Sequence, residues 1–189
     1  MRIFNVNWMK PGNLDRFLGP LAGKPDLRFL EIGSFEGMTS CYLFDHFLTH
    51  PSSTLTVIDP YGLYPIPGWD HLINPGAERI FRDNTREFGN RIVLVKGKSQ
   101  DVLPTLPREH FDFIYVDGDH RRDVTYRDAV LSLPILKSEG IMIFDDYTWG
   151  YDPKAADNPL SPHDAVDRFL KENPSLTVLA VDLQMVVKK

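Results

Sequence analysis

The sequence predicts an α/β protein with a mostly parallel sheet of seven strands, helices on both faces, and an antiparallel hairpin at the carboxyl end. Three observations predict it. Short apolar runs rich in β-branched and aromatic residues recur at 27–33, 54–59, 91–97, 111–117 and 140–146. Segments of helical periodicity separate them, which is the alternation expected of βαβ units and parallel strands. The final stretch, SLTVLAVDLQMVVKK, reads as two strands joined by a tight turn near Asp182 and Leu183. So short a connection forces an antiparallel pair.

Each element has its own justification. LRFLEIG, TLTVID, FDFIYVD and GIMIFDD are largely apolar, as is RIVLVKG between its ends, which marks strands covered on both faces. Between them Ala77, Ile80, Phe81 and Phe88 fall on one helical face, as do Tyr126, Val130 and Leu133, and later Val166, Phe169 and Leu170. Ser161, Pro162 and Asp164 read as cap, first-turn proline and capping-box acid, so His163 belongs to a helix start. Cys41 lies in TSCYLFDHF and reads as a buried reduced thiol on a helix, since a single cysteine cannot form an intramolecular disulfide. Two stretches dense in Pro, Gly and aromatics, 60–76 and 147–162, follow strand carboxyl ends, where open sheets bind ligands. A lid and a plain surface connection both fit them.

At 189 residues, the chain reads as one domain over 1–189, with 1–26 a short extension before the first strand. Its 42% hydrophobic and 25% charged residues exclude a disordered or collagen-like chain. Lys and Arg number 21 against 26 acids, a net charge of -5, and no basic run can track a phosphate backbone. That argues against a nucleic-acid partner. No segment approaches the roughly 20 apolar residues that cross a bilayer, so a cytoplasmic protein without membrane attachment is expected.

The chemistry gathers at strand ends. LEIGSFEG places Glu31, Gly33 and Gly37 at the first strand-to-helix turn, where glycine lets the backbone approach a ligand that a Cβ would push away. The pattern is E-x-G-x-x-x-G, and the denser glycine run of dinucleotide dehydrogenases is missing. Asp59 ends the second strand, where a carboxylate can accept both hydroxyls of a ribose; a loop acid or helix cap is the plainer alternative. After the third strand, Ser99 and Gln100 fit either adenine contacts or, for Ser99, a cap.

Asp117, then Asp145 with Asp146, follow directly on apolar strands. If those strands are neighbours the three acids converge, and such a group needs a cation or a proton. Hard oxygen ligands suit Mg²⁺. The alternative is solvated acids at strand ends. His120, three residues past Asp117, is a natural base for an acceptor proton, with Asp119 a weaker rival. His46, His50, His71 and His110 show no ligand-like grouping. Tyr61, Tyr64, Trp69, Tyr147, Trp149 and Tyr151 are suited to stack on a sugar face or an aromatic ring.

Taken together, LRFLEIGSFEG, VIDPY, KGKSQDVLP, FDFIYVDGDH and GIMIFDDY resemble the Rossmann-like class I S-adenosylmethionine-dependent methyltransferases over roughly 27–189. DGDH with DDY resembles most the small group containing metal-dependent macrolide-sugar O-methyltransferases, and more distantly catechol O-methyltransferase. The resemblance implies that Glu31, Gly33, Ser34 and Gly37 line the methionine part of S-adenosylmethionine. It implies that Asp59 holds the ribose, and that Ser99 and Gln100 lie near adenine. Asp117, Asp145 and Asp146 would hold Mg²⁺, Asp117 also touching the cofactor, and His120 matches the proposed base. A small-molecule hydroxyl acceptor, possible assembly into a homo-oligomer, and no membrane or nucleic-acid partner complete the expectation. Two other methyltransferase-like readings stand beside it: a metal-independent enzyme and a domain that binds the cofactor without turnover. The D-G-D of VDGDH also resembles the nucleophile of haloacid-dehalogenase-type phosphatases, but here it falls on the fourth strand, not near the start.

Overall fold

The computed structural model describes residues 1–62, 76–152 and 158–189. Seven strands form one mixed sheet in the order β3-β2-β1-β4-β5-β7-β6: β1 (Arg28–Ile32), β2 (Thr54–Asp59), β3 (Ile92–Lys96), β4 (Phe111–Val116), β5 (Leu136–Phe144), β6 (Thr177–Val181) and β7 (Met185–Lys188). The helices are α1 (Pro11–Leu18), α2 (Met38–His46), α3 (Ala77–Thr85), α4 (Ser99–Val102), α5 (Arg122–Ser132) and α6 (Pro162–Glu172). No helix among the described residues is long and apolar enough to cross a membrane. The chain divides into two compact units, Met1–Ser99 and Gln100–Lys189.

In the first unit β1 pairs with β2 and β2 with β3, all parallel. Leu30, Leu43, Leu55 and Val57 are fully buried, and Phe81 of α3 is nearly so. The β3 edge strand departs from the expectation of two covered faces, with Val93 half exposed. Its apolar composition is that of an inner strand, but its position at the sheet margin leaves one side open. Cys41 is buried on α2 as expected; burial pushes its thiol up to about 12, so it stays protonated.

In the second unit β4 pairs with β5 in parallel, while β7 runs antiparallel between β5 and β6. The hairpin turns between Val181 and Met185, where the sequence placed it. Strand β5 starts earlier than expected. Leu136 pairs with Phe111 and Ile141 with Phe113, so four residues, Lys137 to Gly140, loop out of register between two paired positions. Lys137 in that bulge reaches Asp112 at 2.6 Å.

Two helix readings need correction. In α5 the buried stripe is Thr125, Asp128, Ala129 and Ser132, while Val130 is 40% exposed. The polar stripe faces inward, where Gln100 donates to Asp128 at 3.0 Å. Tyr126 instead turns out to bond Glu172 and to lie under the Arg168 guanidinium. Ser161 precedes α6, and Pro162 opens it as read, but the serine side chain makes no cap hydrogen bond. Its buried hydroxyl has no hydrogen-bond partner among the described residues.

Candidate functional site

In the first unit, the site is built on the turn from β1 into α2. Gly33 (φ 80°) and Gly37 (φ 81°) are left-handed, and Phe35 between them has φ 48°. The turn needs glycine for a second reason at Gly37, where an added Cβ would lie 2.8 Å from Phe81. Asp59, at the tip of β2, ties this turn down. Its Oδ2 accepts the amides of Ser34 (2.9 Å) and Phe35 (3.1 Å), and its Oδ1 accepts that of Tyr61 (2.8 Å). Burial raises its pKa above the usual carboxylate value, and those amide bonds oppose the rise. The acid read from sequence as a ribose ligand organises the turn.

Glu31 lies beneath, 1% exposed. Ser40 donates to its Oε2, and its Oε1 has no hydrogen-bond partner among the described residues. Burial, the dominant cause, pushes this carboxyl up to about 8 against the Ser40 bond, with neighbouring Asp59 adding to the rise. Ser34 sits between Asp59 (3.4 Å) and the Tyr61 hydroxyl (2.8 Å). Tyr61, read as a substrate-stacking aromatic, is a half-buried anchor of the turn. Ser99 is buried and opens α4. Tyr64 and Trp69 lie outside the described residues.

An anchoring segment escaped sequence reasoning. Ile3 exchanges two backbone hydrogen bonds with the Asn84 side chain, which also donates to Glu36 O (2.9 Å). The Asn5 backbone and side-chain amides both reach the Glu36 carboxylate at 2.6 Å. Trp8 stacks on Phe35 at 5.4 Å. Residues 3–8 thus brace the same turn. They carry no periodic pattern that could have announced it.

The second unit holds the acids. Among the described residues one group of three metal-ligating side chains converges: Asp117, His120 and Asp146, with ligand atoms within 4.8 Å of one another. Asp146 has φ 50°, a strained setting for a non-glycine residue. Its Oδ2 lies 3.0 Å from His120 Nε2. An ionised carboxylate only accepts, so towards Asp146 the His120 ring acts as donor through Nε2. Asp145 is 7% exposed, outside that group, and its Oδ1 accepts from Gln184 at 2.9 Å. Asp119, the rival base, is taken up by Arg121, whose guanidinium and backbone amide both donate to its carboxylate. Gln100 is likewise engaged, on Asp128.

Aromatic rings pack on His120 and His163. The Trp149 ring lies 5.0 Å from that of His120. His163 is stacked with Tyr151 (3.7 Å) and Tyr147 (4.6 Å), and Tyr147 donates to Asp167 at 2.8 Å, which fastens the segment after β5 to α6. His163 is therefore a structural ring.

Two carboxylates and an imidazole within one ion's reach fit a divalent cation, since like charges so close are costly unless neutralised.

A family model described as a methyltransferase domain matches residues 30–147. An O-methyltransferase of Aspergillus hancockii, hkm8, is 30% identical over 129 residues, covering 68% of this chain and 46% of its own length. The chain spans about half the length of the curated relatives it matches. Among solved structures, a putative O-methyltransferase from Klebsiella pneumoniae superposes with TM-score 0.70 at 18% identity, covering 96% of this chain and 81% of that one. An O-methyltransferase from Bacillus cereus in complex with SAH gives 0.61 at 18% identity, covering 86% and 74%. At these identities the structures show a shared fold.

Proposed function

The chain belongs to the methyltransferase-domain family of class I S-adenosylmethionine-dependent enzymes, and on that premise we propose that it methylates a hydroxyl of a small-molecule acceptor with help from a divalent cation such as Mg²⁺. The observation that carries the reading is that the family match, 30–147, spans the braced glycine turn, Asp59, and the converging Asp117, His120 and Asp146. The O-methyltransferases of A. hancockii and B. cereus, the second with SAH, support oxygen as the acceptor atom and S-adenosylmethionine as the donor.

In this reading the left-handed turn from Gly33 to Gly37, with Ser34, admits the methionine end of the cofactor, and Asp59 holds its ribose. Ser99 and Gln100 flank adenine. When bound, S-adenosylmethionine would supply a methyl group on a sulfonium, the S–C bond breaking as the O–C bond forms and a neutral thioether leaving. Asp117 and Asp146, with neighbouring Asp145, would hold the cation, whose charge would lower the pKa of an acceptor hydroxyl. His120 takes the acceptor proton, and Asp146 at Nε2 stabilises the imidazolium that results. Asp119 is a poorer base because Arg121 holds its charge. Trp149, beside His120, offers a face to a sugar or an aromatic acceptor.

The test pairs binding with turnover. S-adenosylhomocysteine should raise the melting temperature of the wild type, because a ligand selective for the folded state stabilises it. Labelled methyl from S-adenosylmethionine should appear on members of a panel of sugars, catechols and phenols, and chelation should abolish transfer while sparing the thermal shift. Turnover that survives exhaustive chelation would establish the metal-independent reading. A thermal shift with no acceptor methylated, metal present or absent, would favour a binding domain.

A further inference from the structure

Gln184 belongs to no motif, yet it reaches the acids from the far end of the chain. It closes the turn between β6 and β7, where Asp182 N–H donates to its carbonyl (3.0 Å) and its own N–H donates to Asp182 Oδ1 (2.8 Å). Those reciprocal bonds hold the backbone of the turn. The side chain is 2% exposed, and burying an amide is costly unless its hydrogens find acceptors. They do: Nε2 donates to Asp145 Oδ1 at 2.9 Å and to the Tyr115 hydroxyl at 3.1 Å. Tyr115 is fully buried on β4 and cannot follow a moving partner. Asp145 is held from its other end too, its amide continuing the ladder to Val116 O at 2.9 Å.

We propose that Gln184 is a positioning residue for the acid cluster: Asp145 lies outside the converging group of Asp117, His120 and Asp146, and the Gln184 amide fixes its carboxylate next to Asp146, ready to complete the ligand set of a divalent cation with Asp117 and Asp146. This rests on the metal-assisted reading. The side-chain chemistry is specific. A carboxylate at 184 would repel Asp145, a lysine would neutralise it and compete with the cation, and an apolar residue would leave a buried charge without its donor. A neutral double donor orients one oxygen of Asp145 without cancelling its charge. The ligand partners that fix a metal-binding group are typically worth about 10–100-fold in metal affinity.

The test measures Mn²⁺ binding to the full chain by electron paramagnetic resonance, with S-adenosylhomocysteine thermal shifts as a control. Gln184→Met keeps the shape and removes both donors; it should weaken Mn²⁺ about 10–100-fold and leave the S-adenosylhomocysteine shift unchanged. In an Asp145→Asn background the same substitution should add no further loss, whereas a packing role would cost the same in both backgrounds. Gln184→Asn, which keeps the amide but withdraws it, carries the comparison should the methionine variant fail to fold. Equal Mn²⁺ affinity in wild type and variant, or an undiminished loss in the Asp145→Asn background, overturns the proposal. Absence of Mn²⁺ binding by the wild type overturns the metal reading itself and this inference with it.

Discussion

At 1% exposure, with Ser40 on one oxygen and no partner for the other among the described residues, Glu31 gains more from holding a proton than from its charge. The folded chain binds that proton up to about pH 8, whereas an unfolded chain releases it near 4.5. A raised carboxyl pKa stabilises the fold fully below about 4.5, and the contribution is lost as pH rises through 8. At about 1.4 kcal/mol for each tenfold change in proton affinity, the loss amounts to a few kcal/mol. Glu31→Gln, neutral at every pH, should therefore melt higher than the wild type at about pH 9 and near it at about pH 4.5. Parallel melting curves across that range would refute the buried proton. Gly37→Ala should behave differently, costing about 2–4 kcal/mol at all pH values from the left-handed backbone and the displaced Phe81, a drop of several degrees in a calorimetric scan. The glycines and both acids were legible because a strand-tip motif advertises them. The protonation of Glu31 was not, because it depends on which neighbours seal it in.

Asn84 shows how an element can depend on side chains that no periodicity reveals. It lies on α3, 3% exposed, and its amide joins Ile3 to the carbonyl of Glu36 in the glycine turn through bonds of 2.8 to 2.9 Å. Asn84→Ala would strand those backbone groups and cost about 1–3 kcal/mol. If the turn is the cofactor's seat, the thermal shift from S-adenosylhomocysteine should shrink with it; an unchanged shift would show that residues 3–8 brace a turn the cofactor does not use. Element identities were otherwise readable where composition and period agreed, as in β2, whose observed limits are those predicted. They failed where tertiary setting overrides local pattern. Strand β5 is expected from Gly140 onward, yet Leu136 already pairs with Phe111 ahead of it. The α5 face was chosen for its apolar residues, whereas the helix buries Asp128 because Gln100 meets it.

Across the whole molecule, the sequence displayed the terminal hairpin through its composition, but strand order is a matter of which edges remain open, which no local pattern records. The antiparallel insertion of β7 against β5 brings Gln184 to Asp145, so a residue outside the matched span 30–147 is tied to one inside it. The braced turn belongs to the unit ending at Ser99, and the acids belong to the unit starting at Gln100. Perturbations at independent sites add, and additivity is the outcome expected here. Asp59→Ala should lose most of the S-adenosylhomocysteine thermal shift and keep Mn²⁺ binding, while Asp145→Asn should lose Mn²⁺ affinity and turnover and keep the thermal shift. The double variant should lose both without an extra penalty to either. Should Asp59→Ala also abolish Mn²⁺ binding, the carboxylate would be holding more of the fold than its own turn, and its assignment as a cofactor ligand would have to yield to a structural one.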